Sequence, residues 1–208
     1  MLCSGKTFLT ARALLALTLV LVPAGAFAET PQKAVEQLLE SIKKIKAEGE
    51  VSASQRKANR GHSDRALAQL DIKEVSRKAL GRYWSKRTLD EQKDFITLLS
   101  NLFITEAFPN SSKFFAALKI VYGKTRMKDN RATVPLTVIH EDEGEIEIDF
   151  HMKSNSSNWR VVDVDLDGIS MRNNLRSQFY KIIGKHDFKE LFRRMDTKLK
   201  KSSGEGGS

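Results

Sequence analysis

Two spacings of apolar residues divide this chain. From about residue 30 to residue 118, apolar positions recur every three to four residues, which predicts amphipathic helices. Between about Lys119 and Leu166 they alternate with polar positions, which predicts strands, and after Gly168 the helical spacing returns. We therefore expect an α+β domain in which amphipathic helices pack on the apolar face of an antiparallel sheet.

Capping signals mark the first helix. Thr30 followed by Pro31 predicts the start of an amphipathic helix of about 18 residues that ends near Gly49. The polar stretch from Glu50 to Asp64 has no apolar period and is interpreted mainly as a loop. A short helix is expected after it, over Arg65 to Leu80.

A stronger signal opens the next helix. Thr88 and Glu91 have the spacing of a capping box, in which each side chain accepts a hydrogen bond from the other residue's backbone N–H. Apolar residues follow at helical spacing from Phe95 to Phe103, and Pro109 is expected to end the helix. The segment from Ser111 to Leu118 is expected to add a further turn or two.

The alternating region predicts a curved sheet of about four strands, built around a hairpin. The segment Asp142-Glu143-Gly144 fits a three-residue turn whose glycine takes a positive φ. That turn would pair Val138 with Ile148 and Leu136 with Phe150. All the apolar residues of the hairpin would then share one face of the sheet.

The remaining strands follow from the same alternation. Val162, Val164 and Leu166 are expected on the apolar face of the next strand, and Lys119 to Met127 is expected to form one more strand. After the sheet, apolar residues from Met171 to Ile183 predict a helix. Asp187 is expected to cap a last helix that runs to about Leu199.

The outer face of the predicted sheet is acidic. We interpret it as a solvated or helix-covered face, with a calcium site or an acid–base pair as the alternative. The basic C-terminal helices are expected either to pack there or to form a separate patch for anionic headgroups or nucleic acid. The carboxylates concerned are Glu145, Glu147, Asp149, Asp163 and Asp165.

The first 28 residues have the three parts of a secretory signal. Lys6 and Arg12 lie before an apolar run of ten residues, and Ala26-Phe27-Ala28 fits a cleavage site. We expect export with cleavage after Ala28, one domain over residues 29–201, and a disordered tail over residues 202–208. Export argues against nucleic acid as a partner, although the whole chain of 208 residues has a net charge of +9.

Catalytic motifs are missing from the sequence. Cys3, the only cysteine, lies in the signal, so thiol chemistry and thiolate zinc sites are excluded from the mature chain. The register predicted for the hairpin puts His140 and His151 on opposite faces, and no G-x-S-x-G, phosphate-binding loop or dinucleotide fingerprint occurs. The sequence therefore predicts neither an enzyme nor a cofactor.

Five segments in order resemble the MlaC family, also called the toluene-tolerance auxiliary proteins, over roughly Leu70 to Leu199. Single pieces are weak, but their order is fairly specific. The segments are Leu80 to Trp84, Thr88 with Phe95, Asn158 to Val164, Gly168 to Met171, and Arg176 to Phe179.

The resemblance implies a soluble periplasmic carrier of phospholipid. Such a protein would hold acyl tails between sheet and helices, in an NTF2-like cavity, with the headgroup near solvent. It would move lipid between an outer-membrane lipoprotein–porin complex and an inner-membrane ABC transporter complex with its membrane-anchored component. Burial of acyl chain stabilises a complex by about 0.8 kcal/mol per methylene, so a diacyl lipid needs a carrier to cross water.

Apolar positions of the helices and the sheet are the candidates for lipid contact on this reading. Each is also a good core residue, and Tyr83 and Trp84 are expected where a helix meets the sheet. The candidates are Tyr83, Trp84, Phe95, Leu98, Leu99, Leu102, Phe103, Leu136, Val138, Ile148, Phe150, Val164 and Phe179.

Several alternatives stay open at this stage, because periodicity does not separate a filled core from a lined cavity. The cargo is a hopanoid or another apolar ligand in one alternative, since a branch of the family is associated with hopanoid synthesis. A second is an envelope adaptor with a filled core. A third is an enzyme or small-ligand binder, for which only His140 lies near the rim of the apolar face.

Overall fold

The computed structural model describes residues 29–46, 52–116, 118–140, 144–155 and 158–202. The predicted signal of residues 1–28 and residues 203–208 of the predicted tail lie outside the described residues, whereas Ser202, also assigned to that tail, is the last residue of the final helix. Seven α-helices, two short helical segments and six strands make up the described part. They are α1 (Pro31–Lys43), α2 (Ala53–Ala68), α3 (Ile72–Leu80), a 3₁₀ segment (Gly81–Lys86), α4 (Leu89–Leu102), a π-helical segment (Phe103–Ala107), α5 (Phe108–Phe115), β1 (Lys119–Tyr122), β2 (Arg126–Lys128), β3 (Arg131–His140), β4 (Gly144–Asn155), β5 (Asn158–Leu166), β6 (Ile169–Ser170), α6 (Met171–Lys185) and α7 (Phe188–Ser202).

Helix α1 begins as predicted and ends early. The Thr30 hydroxyl accepts a hydrogen bond from the backbone N–H of Lys33 at 3.2 Å. The helix stops at Lys43 instead of Gly49, because the chain turns there and the N–H of Ile45 donates to the carbonyl of Ile42 at 3.0 Å. The turn brings Ile45 into the core.

The prediction of a loop over residues 50–64 was wrong, since α2 covers most of it. Ser52 caps this helix by accepting from the N–H of Gln55. Only Ser63 and Ala66 are buried along the 16 residues, so the helix has almost no apolar face for a periodicity argument to detect. The expected helix over residues 65–80 is in fact the end of α2 followed by the separate helix α3.

The capping box of α4 is confirmed, but Pro109 does not end the helix. The backbone N–H of Thr88 donates to Glu91 at 2.9 Å, and the N–H of Glu91 donates to Thr88 at 3.2 Å. After Leu102 the turns widen, so that the N–H of Phe108 bonds the carbonyl of Phe103, five residues back. Pro109 lies in the first turn of α5, where the missing N–H is tolerated.

The sheet is a curved, open, mainly antiparallel layer in the order β1-β3-β4-β5-β6. Strand β2 also pairs with β3, so the single strand expected over residues 119–127 is two short strands on the same neighbour. The predicted α+β class is confirmed, with six strands where about four were expected.

The predicted hairpin register was wrong by two residues. Val138 pairs with Ile146, and Leu136 pairs with Ile148, because the strands close at the pair His140 and Gly144. The residues between these two lie outside the described part. Gly144 has the positive φ expected of it, at 86°. A shift of two keeps every side chain on its face, so the predicted apolar face is correct.

A β-bulge in β5 changes one predicted facing. His151 pairs with Asp163 and Met152 pairs with Val161, which leaves Val162 as the extra residue of β5. Val161 belongs to the apolar cluster under the sheet, whereas Val162 does not. The prediction that Val162 shares the face of Val164 was therefore wrong, because alternation breaks at the bulge.

The described apolar residues form two separate clusters. The sheet cluster lies between the inner face of the sheet and helices α1 and α5, and the helical cluster lies among α3, α4, α6 and α7. The side chain of Phe103, in the π-helical segment, packs against both. The connection between α2 and α3 joins the sheet directly, since the N–H of Val161 donates to Gln69 and the N–H of Asp71 donates to Val161.

Candidate functional site

The inner face of the sheet is the largest apolar surface that the strands create. Leu136, Val138, Ile148 and Phe150 point into the sheet cluster and are almost fully buried. Alternation along β3 and β4 explains their common direction. Helix α1 lies over β3 and β5 and supplies its own apolar stripe against them.

Half-buried apolar side chains surround this buried centre. They pack against the sheet cluster but remain partly accessible to solvent, so the apolar surface continues from the interior to the rim of the sheet. On the strands the rim consists of Ile120, Tyr122, Ile146, Val164 and Leu166, and on the helices it consists of Leu67, Leu70, Phe103, Ile104 and Phe114.

The structure divides the predicted lipid-contact residues between the two clusters. Leu136, Val138, Ile148, Phe150 and Val164 belong to the sheet cluster, and Phe103 contacts both clusters. The others pack in the helical cluster, away from the inner face of the sheet. They are Tyr83, Trp84, Phe95, Leu98, Leu99, Leu102 and Phe179.

Tyr83 and Trp84 do not lie where a helix meets the sheet, contrary to the prediction. The 3₁₀ segment packs both residues against the helical cluster, and the ring of Tyr83 meets that of Tyr180 on α6 edge-on, with 4.9 Å between the ring centroids. Gly81 makes this approach possible. Its φ of 49° suits glycine, and a Cβ at this position would collide with the Tyr180 hydroxyl. That hydroxyl accepts from the N–H of Arg82 at 2.9 Å.

Several rim residues were missed by the sequence argument. Ile120 and Tyr122 alternate in exposure with Lys119 and Val121 on β1, but Val121 is itself apolar, so the sequence has no period of two here that would separate the two faces. Burial, with a smaller contribution from the charge of Glu36 on α1, raises the pKa of Tyr122. Glu36 itself accepts from Gln32 at 3.0 Å and pairs with Lys33 at 3.4 Å. The rim therefore combines apolar surface with a polar margin on α1.

The acidic residues predicted on the outer face are indeed on one face of the sheet. One of them, Asp163, pairs with Arg172 at the start of α6, whereas two others pair within the sheet. Asp149 pairs with Arg126 at 2.8 Å, and Asp165 pairs with His151 at 2.9 Å. Within the described residues, no group of three or more His, Cys, Asp or Glu side chains is arranged to hold a metal ion.

Asp163 is the most constrained of these carboxylates. Its side chain is only 4% exposed and pairs with the Arg172 guanidinium at 3.1 Å. It also accepts from the Ser170 hydroxyl at 2.7 Å and from the backbone N–H of Arg172 at 3.0 Å. These contacts fix the start of α6 to β5, so Asp163 joins the helical cluster to the sheet.

Two clefts open on the surface of the described chain, away from the inner face of the sheet. The first, of about 270 Å³, lies between α1 and α2 and has a mostly polar lining that includes Glu40, His62 and Arg65. The second, of about 360 Å³, lies between the 3₁₀ segment and the turn from α6 to α7. Pockets for drug-sized ligands measure about 300–1,000 Å³, so neither cleft accommodates a whole diacyl lipid.

Among the described helices, none has both the length and the hydrophobicity needed to cross a bilayer.

Comparison with known proteins identifies a family and a solved structure of similar fold. The family model described as "MlaC protein" matches residues 32–197, which is more than half of the chain. A phospholipid-binding protein from Ralstonia solanacearum, solved in complex with a phospholipid, has a similar structure with a TM-score of 0.67. The two sequences are 20% identical, and the match covers 85% of this chain and 98% of the other. No curated protein matched the sequence.

Proposed function

Because this chain belongs to the MlaC family, we propose that it binds a phospholipid and carries it through the periplasm. The inner face of the sheet is the part that serves this function. The acyl chains lie between the sheet and helices α1 and α5, against the residues of the sheet cluster. Each methylene transferred from water into this surface stabilises the complex by about 0.8 kcal/mol.

The observation that carries the proposal is the half-buried rim. Ile120, Ile146 and Leu166, on three strands of one sheet, extend the apolar surface of the buried centre to solvent without leaving the inner face. Acyl chains entering at the rim would meet apolar side chains along their whole path to Leu136 and Ile148.

The helical cluster has a supporting role in this proposal. Phe95 stacks edge-on with Phe179 at 5.8 Å, and its ring lies 6.2 Å from that of Phe188. These contacts fix the helices to one another and leave the sheet side to bind lipid. Of the residues predicted to touch lipid, we retain Phe103, Leu136, Val138, Ile148, Phe150 and Val164 as lining residues.

The transport route follows from the same proposal. After export and removal of residues 1–28, the carrier takes lipid at an outer-membrane lipoprotein–porin complex. It delivers the lipid at an inner-membrane ABC transporter with its membrane-anchored component, or moves it in the opposite direction. Handover requires only that a partner favours an opened state of the carrier, so no bond is made or broken and no catalytic residue is needed.

Native mass spectrometry of the mature protein, purified without detergent from a bacterial envelope, tests the proposal. We expect a stoichiometric adduct with the mass of a phospholipid. A hopanoid mass would assign the chain to a carrier of that cargo. A mass with no adduct, together with no uptake from added phospholipid vesicles, would contradict lipid carriage and favour the adaptor function.

Two neighbouring positions of β1 give a matched pair of variants. Ile120 is half-buried on the rim of the inner face, and Val121, which is 43% exposed, lies on the outer face. Ile120→Lys is expected to lose most of the lipid adduct, whereas Val121→Lys should retain it at the wild-type level. Equal loss in both variants, at equal thermal stability, would place the lipid elsewhere.

A further inference from the structure

The cleft between the 3₁₀ segment and the turn from α6 to α7 has an apolar floor and a cationic rim. Tyr83, Ile183 and Phe188 form the floor. Lys86, Arg87 and Lys189 stand at the rim together with His186. This cleft lies against the helical cluster, so it is separate from the proposed lipid surface on the inner face of the sheet.

The charges of the rim are poorly neutralised within the described residues. Among the residues that the structure describes, no carboxylate lies within ion-pair distance of Lys86 or Lys189, and the ammonium group of Lys86 lies 6.0 Å from the centroid of the Tyr83 ring. Arg87 lies over the Phe188 ring at 4.7 Å and pairs with Glu91 at 3.4 Å, yet its buried Nε has no acceptor. The exposed ammonium groups of Lys86 and Lys189 are therefore the charges that this rim offers to a partner, since the Nε of Arg87 is itself inaccessible.

The acidic group inside the cleft is already engaged. Asp187 caps α7, since its carboxylate accepts from the backbone N–H of Glu190 at 2.8 Å. By contrast, four of the basic residues farther along α7 have partners on the protein itself, among them Lys200, which pairs with Asp196 at 2.8 Å. Arg193 and Arg194 both bind Glu190, and Lys198 pairs with Glu106 of the π-helical segment at 3.6 Å. The cleft therefore combines cations that have no carboxylate partner with an apolar floor.

We propose that this cleft is a docking site for an acidic segment of a partner protein, one that inserts an apolar side chain between carboxylates. An apolar centre inside a charged rim is the usual anatomy of such an interface. An anionic bilayer fits less well, because the apolar floor is recessed: Ile183 and Phe188 are almost fully buried, so a flat surface would meet the cations of the rim without reaching the floor.

The test compares two double variants with the same change in net charge. Lys86→Glu with Lys189→Glu alters the cleft, and Lys57→Glu with Lys128→Glu alters exposed positions of α2 and β2. The probe is a short fluorescent peptide of Asp and Glu around a single Phe, with binding measured by anisotropy at about 0.15 M ionic strength, where exposed charges are screened beyond about 8 Å. Thermal unfolding and bound lipid are measured on the same samples.

The expected result is a loss of about tenfold in peptide affinity, equivalent to about 1.4 kcal/mol, in the cleft variant and little change in the control. Equal losses in both variants, or no binding by the wild type, would overturn the proposal. A cleft variant that binds the peptide normally but no longer binds vesicles containing phosphatidylglycerol would also overturn it, in favour of a membrane surface. Lipid content should be the same in both variants, so failure here leaves the lipid-carrier proposal intact.

Discussion

The sheet cluster and the helical cluster contain the same kinds of residues, but we assign them different roles, lipid binding to the first and support of the fold to the second. The helical cluster is closed by aromatic pairs that join its elements, such as Phe95 with Phe179 and Tyr83 with Tyr180. The sheet cluster is a single broad face covered mainly by α1 and α5, with half-buried apolar residues at its margin. Both clusters have half-buried apolar residues at their margins. What differs is that the sheet cluster is built on one continuous sheet face, whereas the helical cluster is divided among four helices, and for this reason we assign lipid to the sheet side.

The largest effect is expected at the junction between the clusters, where Asp163 of β5 pairs with Arg172 of α6. The substitution Asp163→Ala removes the carboxylate that pairs with the guanidinium of Arg172, in the first turn of α6. Loss of one partner of a buried ion pair typically destabilises a protein by about 3–5 kcal/mol. We expect a decrease of that size in the free energy of unfolding, measured by urea denaturation.

The two tryptophans report on the two clusters separately. Trp159 lies in the sheet cluster, and Trp84 packs against the helical cluster. Trp84→Phe leaves only the tryptophan of the sheet cluster, and Trp159→Phe leaves only that of the helical cluster. With Asp163 present, the fluorescence of the two variants should give the same urea midpoint. With Asp163→Ala added, the two midpoints should differ. Asp149→Ala is the control, because its ion pair with Arg126 is at the surface and contributes less than about 1 kcal/mol. Coincident transitions in Asp163→Ala would mean that the clusters do not depend on this junction.

Truncating one core residue in each cluster tests which of the two binds lipid. Phe95→Ala in the helical cluster should destabilise the protein by about 3–5 kcal/mol, and Ile148→Ala in the sheet cluster by about 2–5 kcal/mol. We expect bound lipid per folded molecule, measured by native mass spectrometry, to stay constant in Phe95→Ala and to change in Ile148→Ala. Loss of lipid from Phe95→Ala alone would reverse the roles assigned to the two clusters.

The sequence predicted well on which face of the sheet a strand residue lies, and poorly which residues pair or pack with one another. Alternation along β3 and β4 predicted the inner face correctly even though the register was displaced by two residues, because facing repeats with a period of two. The same alternation failed at Val162, where the bulge inserts a residue that no local pattern announces. Phe95 and Phe150 were placed together as lipid contacts, since periodicity says that a side chain is buried but not in which cluster.

The helices show the same limit. Helix α2 escaped detection because its 16 residues bury almost nothing, so it has no apolar stripe. Pro109 was expected to stop a helix, and the π-helical turn before it allowed the chain to continue into α5. By contrast, capping at Thr30, Thr88 and Asp187 was correctly predicted, because these signals depend on a few adjacent residues and not on the tertiary fold.

A smaller effect is expected inside the helical cluster at Gly81. Gly81→Ala forces a left-handed backbone on a residue with a Cβ and pushes that carbon against the Tyr180 hydroxyl. Strain of this kind costs about 1–3 kcal/mol. The urea midpoint should fall accordingly. In the double variant with Tyr180→Phe, part of the loss should be recovered, since the colliding oxygen is gone. Strictly additive losses would show that the backbone alone, and not the contact with α6, requires glycine.

The smallest effect concerns the surface of the helical cluster, on α7. Hydrogen bonds from Arg193 and Arg194 lower the pKa of Glu190 to about 2, from an ordinary value of 4.5. A carboxyl whose pKa is lowered by folding adds stability above its unfolded pKa and loses that contribution as the pH falls through the folded value. In Glu190→Gln the contribution is absent at every pH. The difference in urea midpoint between the wild type and this variant should therefore be largest near pH 6 and shrink between pH 4.5 and about 2. A difference that stayed constant down to pH 2 would show that the two arginines stabilise α7 without depending on the charge of Glu190.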